Sequence, residues 1–344
     1  MTDVALQAER IVAGRGMRGQ LKRLAWYFDD SETSRSKGAR TIRRLIAGLL
    51  LTFAVVLEVT ALAHGDVSTA PLFFVFGAAA LLVNRFGRFT YYFVPVILGL
   101  FAYIATGQFV NKFSLPVHYT PQLRAEQYLT PGSIPTVWLQ EHLYHGRTGV
   151  LEVFSFAMYT SHFAVPLLLG VGLALTDRGR AFALLMFGIL AASLLGEITF
   201  ILAPTAPPWL AAQEGYIPHV HHILKQTLYD LHLTKLAALD GDASKYNVTA
   251  AVPSLHIAFP VICVLTAIRA KLPRFVVVGL VLNLLGVTFA IVYTGEHYLV
   301  DALAGALYGV VAWLLVRRLL EPGHRRQDAA NEVAVALPAS EPGT

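Results

Sequence analysis

The chain has one cysteine, Cys263, in 344 residues, so no disulfide can form within it. An extracytoplasmic site is still allowed, because a helix bundle in a membrane needs no such staple. Charge is scarce as well. Only 14% of the residues are Asp, Glu, Lys or Arg against 55% hydrophobic ones, and the mean hydropathy of +0.56 excludes a soluble domain of this length. No apolar run falls early enough to be a cleaved signal peptide. The first starts near Leu45 and is long enough to span, so it reads as an uncleaved signal anchor. There is no internal repeat of the kind that marks a transporter. The net charge of +5 would invite nucleic acid, but the positive residues flank apolar runs, where membrane topology accounts for them. No nucleic-acid partner is expected.

What is present is a series of apolar runs near 43–64, 69–84, 89–110, 150–175, 181–203, 252–270, 274–293 and 297–317. Their length predicts an all-α, polytopic membrane bundle of about eight transmembrane helices. Residues 1–42 form a basic arm with Arg10, Arg15, Arg18 and Lys22, either solvated or laid on anionic lipid through Leu21–Phe28. Residues 43–110 hold the first three spans, and 111–149 an outer loop whose Val137–Tyr144 stretch is an interfacial helix or a simple cap. Residues 150–317 are the expected catalytic core, and 318–344 a polar tail with no assigned fold. The basic residues Arg85, Arg178, Arg180, Arg269, Lys271, Arg274 and Arg317 fall on the side of the basic arm, whereas the short loops around Asp66 and Glu296 carry no Lys or Arg. Both termini are therefore expected in the cytoplasm, with the chain in the plasma membrane.

Polar residues with chemistry concentrate between Asn247 and Asp301. Pro253-Ser254-Leu255-His256 opens one apolar run, with proline at the expected helix start. Gly295-Glu296-His297-Tyr298-Leu299-Val300-Asp301 opens another, and there His297 and Asp301 are expected to share a helical face at i, i+4. On the topology above both motifs reach the outer face. They resemble the phosphatidic acid phosphatase type 2 superfamily, in its inositol phosphorylceramide synthase-like branch. Tyr159–Phe163 and Pro204–Trp209 add to the resemblance, which covers roughly residues 133–317. It implies His297 as nucleophile, Asp301 as its orienting acid, His256 as general acid and Ser254 as phosphate ligand. By position alone Ser254 is a helix cap. His162 supports the site on the resemblance and is a core histidine by position. Lys245 and Asn247 complete the candidate substrate-binding set, with Lys225 and Lys235 as further cations. Two departures stand out: Ile291 occupies the place of an arginine six residues before the nucleophile, and the Lys-x6-Arg-Pro motif is missing.

Phosphoryl transfer needs a nucleophile, a proton for the leaving oxygen and positive potential around the non-bridging oxygens. Asp301 can fix the tautomer of His297 so that its other ring nitrogen attacks phosphorus. Two helix N-termini, each carrying about half a unit of positive charge, are expected to point at the phosphate. Such chemistry calls for no cofactor and no metal, and His219, His221, His222 and His232 lack a familiar zinc spacing. Glu58 and Glu197 are expected roughly 9–10 Å inside the outer ends of their spans, lining a headgroup cavity or paired structurally. A phosphodiester carries one charge fewer than a monoester dianion, so the loss of arginine at 291 favours transfer over hydrolysis. The expected donor is a phospholipid or a polyprenyl-phosphate-type lipid, and the acceptor a lipid or polyol alcohol, or water. Plain lipid phosphatase is the alternative. A lipid transporter on the same fold would have no use for a positioned nucleophile.

Overall fold

The computed structural model describes residues 115–176, 178–239 and 247–320, together with the helical positions Thr52, Val55, Val56 and Val59. The basic arm, the rest of the first three expected spans, Glu58, Lys245 and the tail beyond Leu320 lie outside the described residues. Among the described residues from 115 on, ten helices follow one another: α1 Thr120–Leu129, α2 Pro135–Leu143, α3 Val150–Leu175, α4 Gly179–Leu202, α5 Pro208–Gln213, α6 Ile223–Asp230, α7 Thr234–Leu239, α8 Leu255–Arg269, α9 Arg274–Tyr293 and α10 Leu299–Leu320. Among the described residues there is no strand, only isolated bridges joining His118 to Thr205 and Thr205 to Ala250.

Four of these helices, α3, α4, α9 and α10, are long and apolar enough to cross a bilayer. The shortest has 20 residues, which at helical rise covers the ~30 Å hydrocarbon core. Their large apolar side chains stay exposed, as at Leu168, Leu202, Phe275 and Leu307, the pattern of helices solvated by lipid. The run at 252–270 behaves differently. It yields a helix of only 15 residues, starting at Leu255, and the continuous stretch Ile257–Cys263 is buried. This helix is the centre of the bundle rather than part of its lipid-facing wall.

Small residues let α8 occupy that place. A Cβ at Gly305 of α10 would lie 2.1 Å from the Ser254 carbonyl oxygen, and one at Gly309 would lie 2.7 Å from that of Ala258. On the other side, a Cβ at Gly196 of α4 would come within 3.0 Å of Leu255. Without a hydrophobic force between helices in lipid, such close backbone approach is a main source of association.

The two ends of the bundle differ in chemistry. At one end the Arg178 guanidinium donates to the Ala270 carbonyl beyond α8, Trp313 donates to Thr266 at 3.1 Å, and Arg317 lies 5.4 Å from the Trp313 ring. At the other end α1 packs on α10, α2 on α9 and α6 on α3, and the Trp209 N–H of α5 donates to Gly295 O at 3.1 Å in the turn before α10. The stretch from Pro204 to Val252, read as a long loop, contains three of the short helices. Its first residues form a strip: Thr205 N–H donates to Thr249 O at 2.8 Å, and Thr205 Oγ1 accepts from Val252 N–H at 2.9 Å. That strip leads the chain into α8.

Candidate functional site

Pro253 does not occupy the first helical position as expected, because the helix is capped one residue later, by Ser254. The Ser254 carbonyl accepts from Ile257 and Ala258, and its N–H donates to the main-chain oxygen of Asp301 at 3.1 Å. A capping serine ordinarily spends its hydroxyl on the amide two or three residues on. Here the Ser254 Oγ makes no such bond and is buried without a partner. An unpaired buried hydroxyl costs about 1–3 kcal/mol, which a bound acceptor would recover.

His256 follows on the first turn of α8. Its ring packs against Tyr159 at 4.5 Å and His162 at 4.1 Å between centroids, both on α3. The His162 Nδ1 bonds to the Tyr159 carbonyl, so the two aromatic residues behind His256 hold each other. Structure thus brings His162 to the site as the backing of His256.

His297 is not on a helix, contrary to the shared helical face expected from its spacing to Asp301. Gly295 adopts φ +86°, a conformation other residues avoid, and the turn it makes ends α9. The N–H groups of Glu296 and His297 both donate to Ile291 O at 3.0 Å, and α10 begins only at Leu299. Asp301, in the first turn of α10, reaches back with Oδ2 to the Tyr298 N–H at 2.9 Å, half of a capping box. The same oxygen lies 3.6 Å from His297 Nδ1, within ion-pair range but longer than a hydrogen bond. On the far side of the imidazole, His297 Nε2 and His256 Nδ1 are 3.1 Å apart. A His297 tautomer with its proton on Nδ1, toward Asp301, leaves the Nε2 lone pair able to accept a proton from His256. Asp301 therefore touches both motifs, by side chain at His297 and by backbone at Ser254.

Glu126, which the motifs gave no reason to single out, is fully buried on α1. Its carboxylate accepts the N–H groups of Leu299 and Val300 at 3.0 and 2.8 Å. Burial, outweighing these two bonds, raises its pKa above the ordinary value. The expectation that both helix N-termini point at the phosphate is corrected accordingly, since the first amides of α10 are spent on protein carboxylates. At the start of α8 the Ser254 and Ile257 N–H groups are spent on Asp301 O and Ser254 O, which leaves those of Leu255 and His256 with no intrahelical acceptor.

Gln140 is a second residue with no motif to announce it. It donates to Tyr293 O at 2.8 Å and to His221 O at 3.0 Å, and accepts from His221 N–H at 2.7 Å. It thereby ties α2 and the loop before α6 to the end of α9. In α2 the buried residues are Thr136 and Gln140, so this helix faces inward with polar side chains while Trp138 is half exposed.

The remaining candidates are placed as follows. Asn247 spends its Oδ1 on the Thr249 N–H and hydroxyl, at 3.1 and 2.9 Å, in an Asx turn. Glu197 is buried within α4. Lys225, on α6, lines a cavity of about 240 Å³ with Tyr144, His221, His222, Gln226 and Tyr229. Among the described residues no three His, Cys, Asp or Glu side chains converge to hold a metal ion.

A family model described as the PAP2 superfamily matches residues 133–315, just over half of the chain. A phosphoinositol dihydroceramide synthase of Bacteroides thetaiotaomicron is 27% identical over 177 residues, 48% of this chain. The chain spans about half the length of that curated relative, 55% of which is covered. No solved structure matches the chain. The resemblance read in the two motifs holds at the level of the superfamily, and the relative's name is of the same kind as the branch. A histidine pair at the meeting of α8 and the α9–α10 turn, His297 buried and His256 partly so, and a family match that runs through both, lead to one assignment: the chain belongs to the PAP2 superfamily.

Proposed function

We propose that this membrane protein is a lipid phosphotransferase that moves a phosphorylated headgroup from a lipid donor to an alcohol acceptor at the outer leaflet. The observation that carries the reading is the 3.1 Å contact between His297 Nε2 and His256 Nδ1, with Asp301 on the other side of the His297 ring. Nucleophile and proton donor share one bond, so a phosphorus atom entering between them meets both. The His297 Nε2 lone pair attacks phosphorus, the P–O bond to the donor alcohol breaks, and the departing oxygen takes the Nδ1 proton of His256, which enters this step as the imidazolium. A phosphohistidine and a neutral, proton-accepting His256 result. The acceptor hydroxyl then gives its proton to His256 and attacks phosphorus, the P–N bond breaks, and both histidines return to their starting state. Ser254 Oγ and the Leu255 and His256 amides are the donors left for the phosphate oxygens.

Transfer is favoured over hydrolysis by the fully buried, apolar Ile291, where an arginine would suit a monoester dianion. The name of the relative, a phosphoinositol dihydroceramide synthase, points the same way. Outer-leaflet placement rests on the basic residues gathered at the far end of the bundle. The test is a labelled phosphoinositol lipid presented to purified protein. It should leave an acid-labile, base-stable adduct on the wild type and none on His297→Ala. Adding a lipid alcohol should discharge the adduct faster than water does. Discharge to water alone would mean a lipid phosphatase, and no adduct at all would sink both enzyme readings.

A further inference from the structure

The cavity of about 240 Å³ beside α6 lies outside the histidine pair yet is tied to it twice. His222 bonds to Glu296 at 2.9 Å, and Glu296 is the residue before His297. Leu224 and Leu228, on the buried face of α6, pack with Tyr159, whose ring backs His256. The cavity wall is held in place from behind: Trp209 stacks on His222 at 4.5 Å with the planes 4° apart, and Gln140 pins the backbone of His221. Every lining side chain, Tyr144, His221, His222, Lys225, Gln226 and Tyr229, carries a hydrogen-bonding group, one is cationic and none is a carboxylate. The volume is below the ~300–1,000 Å³ of pockets that take drug-sized ligands, and no aliphatic side chain lines it. It therefore suits a small, hydroxyl-rich group and not a lipid tail.

We propose that this cavity binds the polyol of the donor headgroup, holding its ring while the attached phosphate enters between His256 and His297. The proposal rests on the transfer reading above and names its substrate class. Imidazoles, phenols and an amide both donate and accept, as ring hydroxyls do, Lys225 adds donors, and the acids nearest the lining are already bonded, Glu296 to His222 and Asp230 to Gln226, each at 2.9 Å. Lys225 and Gln226 lie on the face of α6 opposite its buried residues, so replacing them leaves the packing of the helix intact.

Binding to the full-length protein, read by calorimetry with no turnover required, tests the idea separately from catalysis. Inositol 1-phosphate and inorganic phosphate are titrated into wild type, Lys225→Ala and Gln226→Ala. Both variants should bind inositol 1-phosphate about tenfold more weakly and inorganic phosphate unchanged. Equal affinity for inositol 1-phosphate in all three proteins would overturn the proposal, and so would equal weakening for both ligands, which would make the cavity a phosphate site. Selective weakening together with a wild type that forms no phosphohistidine would keep the polyol site and reject the transfer mechanism.

Discussion

Replacing Gly305 by alanine puts the packing of α8 on α10 to a direct test. The added Cβ would stand 2.1 Å from Ser254 O, a backbone atom that cannot rotate away. The closest comfortable C···O contacts between helices are about 3.3 Å, so the two backbones must separate by roughly 1.2 Å. The Ser254 N–H bond to Asp301 O, 3.1 Å long, crosses the same gap and would be lost. Beyond it lies the 3.1 Å contact between His256 and His297. A displacement of about 1 Å at reacting groups costs on the order of 10²-fold in rate. We expect Gly305→Ala to form the phosphohistidine about a hundredfold more slowly in single-turnover measurements. Gly309→Ala, whose Cβ would meet Ala258 O at 2.7 Å, needs a shift of only about 0.6 Å and lies a turn farther away. Its loss should be smaller. Gly279→Ala on α9 meets nothing within 4 Å and should react as wild type does. Thermal unfolding in detergent identifies variants that fail to fold, and Gly309→Ala keeps the comparison open should Gly305→Ala be among them. A folded Gly305→Ala protein with the wild-type rate would refute the claim that the glycine seam sets the distance between the histidines.

Glu126→Gln should destabilise the fold, because one amide oxygen replaces two carboxylate oxygens facing two buried N–H groups, at a cost of about 1–3 kcal/mol. It should also flatten part of the pH profile. The folded-state pKa of Glu126 is raised, so its contribution to stability is fully present below its ordinary value of 4.5 and is lost as pH rises through the raised one. Chemical denaturation of wild type and variant from pH 4 to pH 8 checks the sign, and a Glu126 contribution that grows with pH would contradict it. Asp301→Asn should fold yet lose most activity, on the order of 10⁴-fold by analogy with hydrolytic triads, since an amide can hold His297 in the wrong tautomer. Near-normal turnover there would mean that His297 is not oriented by Asp301. In a chain lacking Cys263, a cysteine at Glu296 should react with an impermeant thiol reagent from outside the cell and one at Arg178 should not. Labelling of the Arg178 site alone would invert the topology.

The long helices were readable because lipid imposes a length of apolar sequence that few other settings require. Ser254, His256, His297 and Asp301 stood out as candidates because they sit in two compact motifs. Less legible was the local backbone around them. The apolar run at 252–270 contains a helix shorter than itself, since Val252 is committed to Thr205 and Ser254 to Asp301 before α8 begins. The spacing of His297 and Asp301 has the helical value, yet the Gly295 turn keeps His297 off the helix and a capping contact brings the pair together. Glu126 left no local trace: its partner Leu299 is 173 residues away, and a single acid in a short polar helix resembles any surface glutamate. Gln140 is hidden for the same reason, its partner Tyr293 being 153 residues distant.

The Glu126 clamp separates the border of the family from the border of the folding unit. The matched region starts at residue 133, after Glu126 has already been used. A fragment cut at that border would leave two amides at the start of α10 buried and bare. It would also lose His118, whose carbonyl accepts from Ala206 N–H at 3.0 Å and so steadies the strip that feeds α8. Chimeras that graft the matched region onto another set of N-terminal helices should therefore carry the segment from His118 onward with it, because the start of α10 is capped by residues that precede the family border.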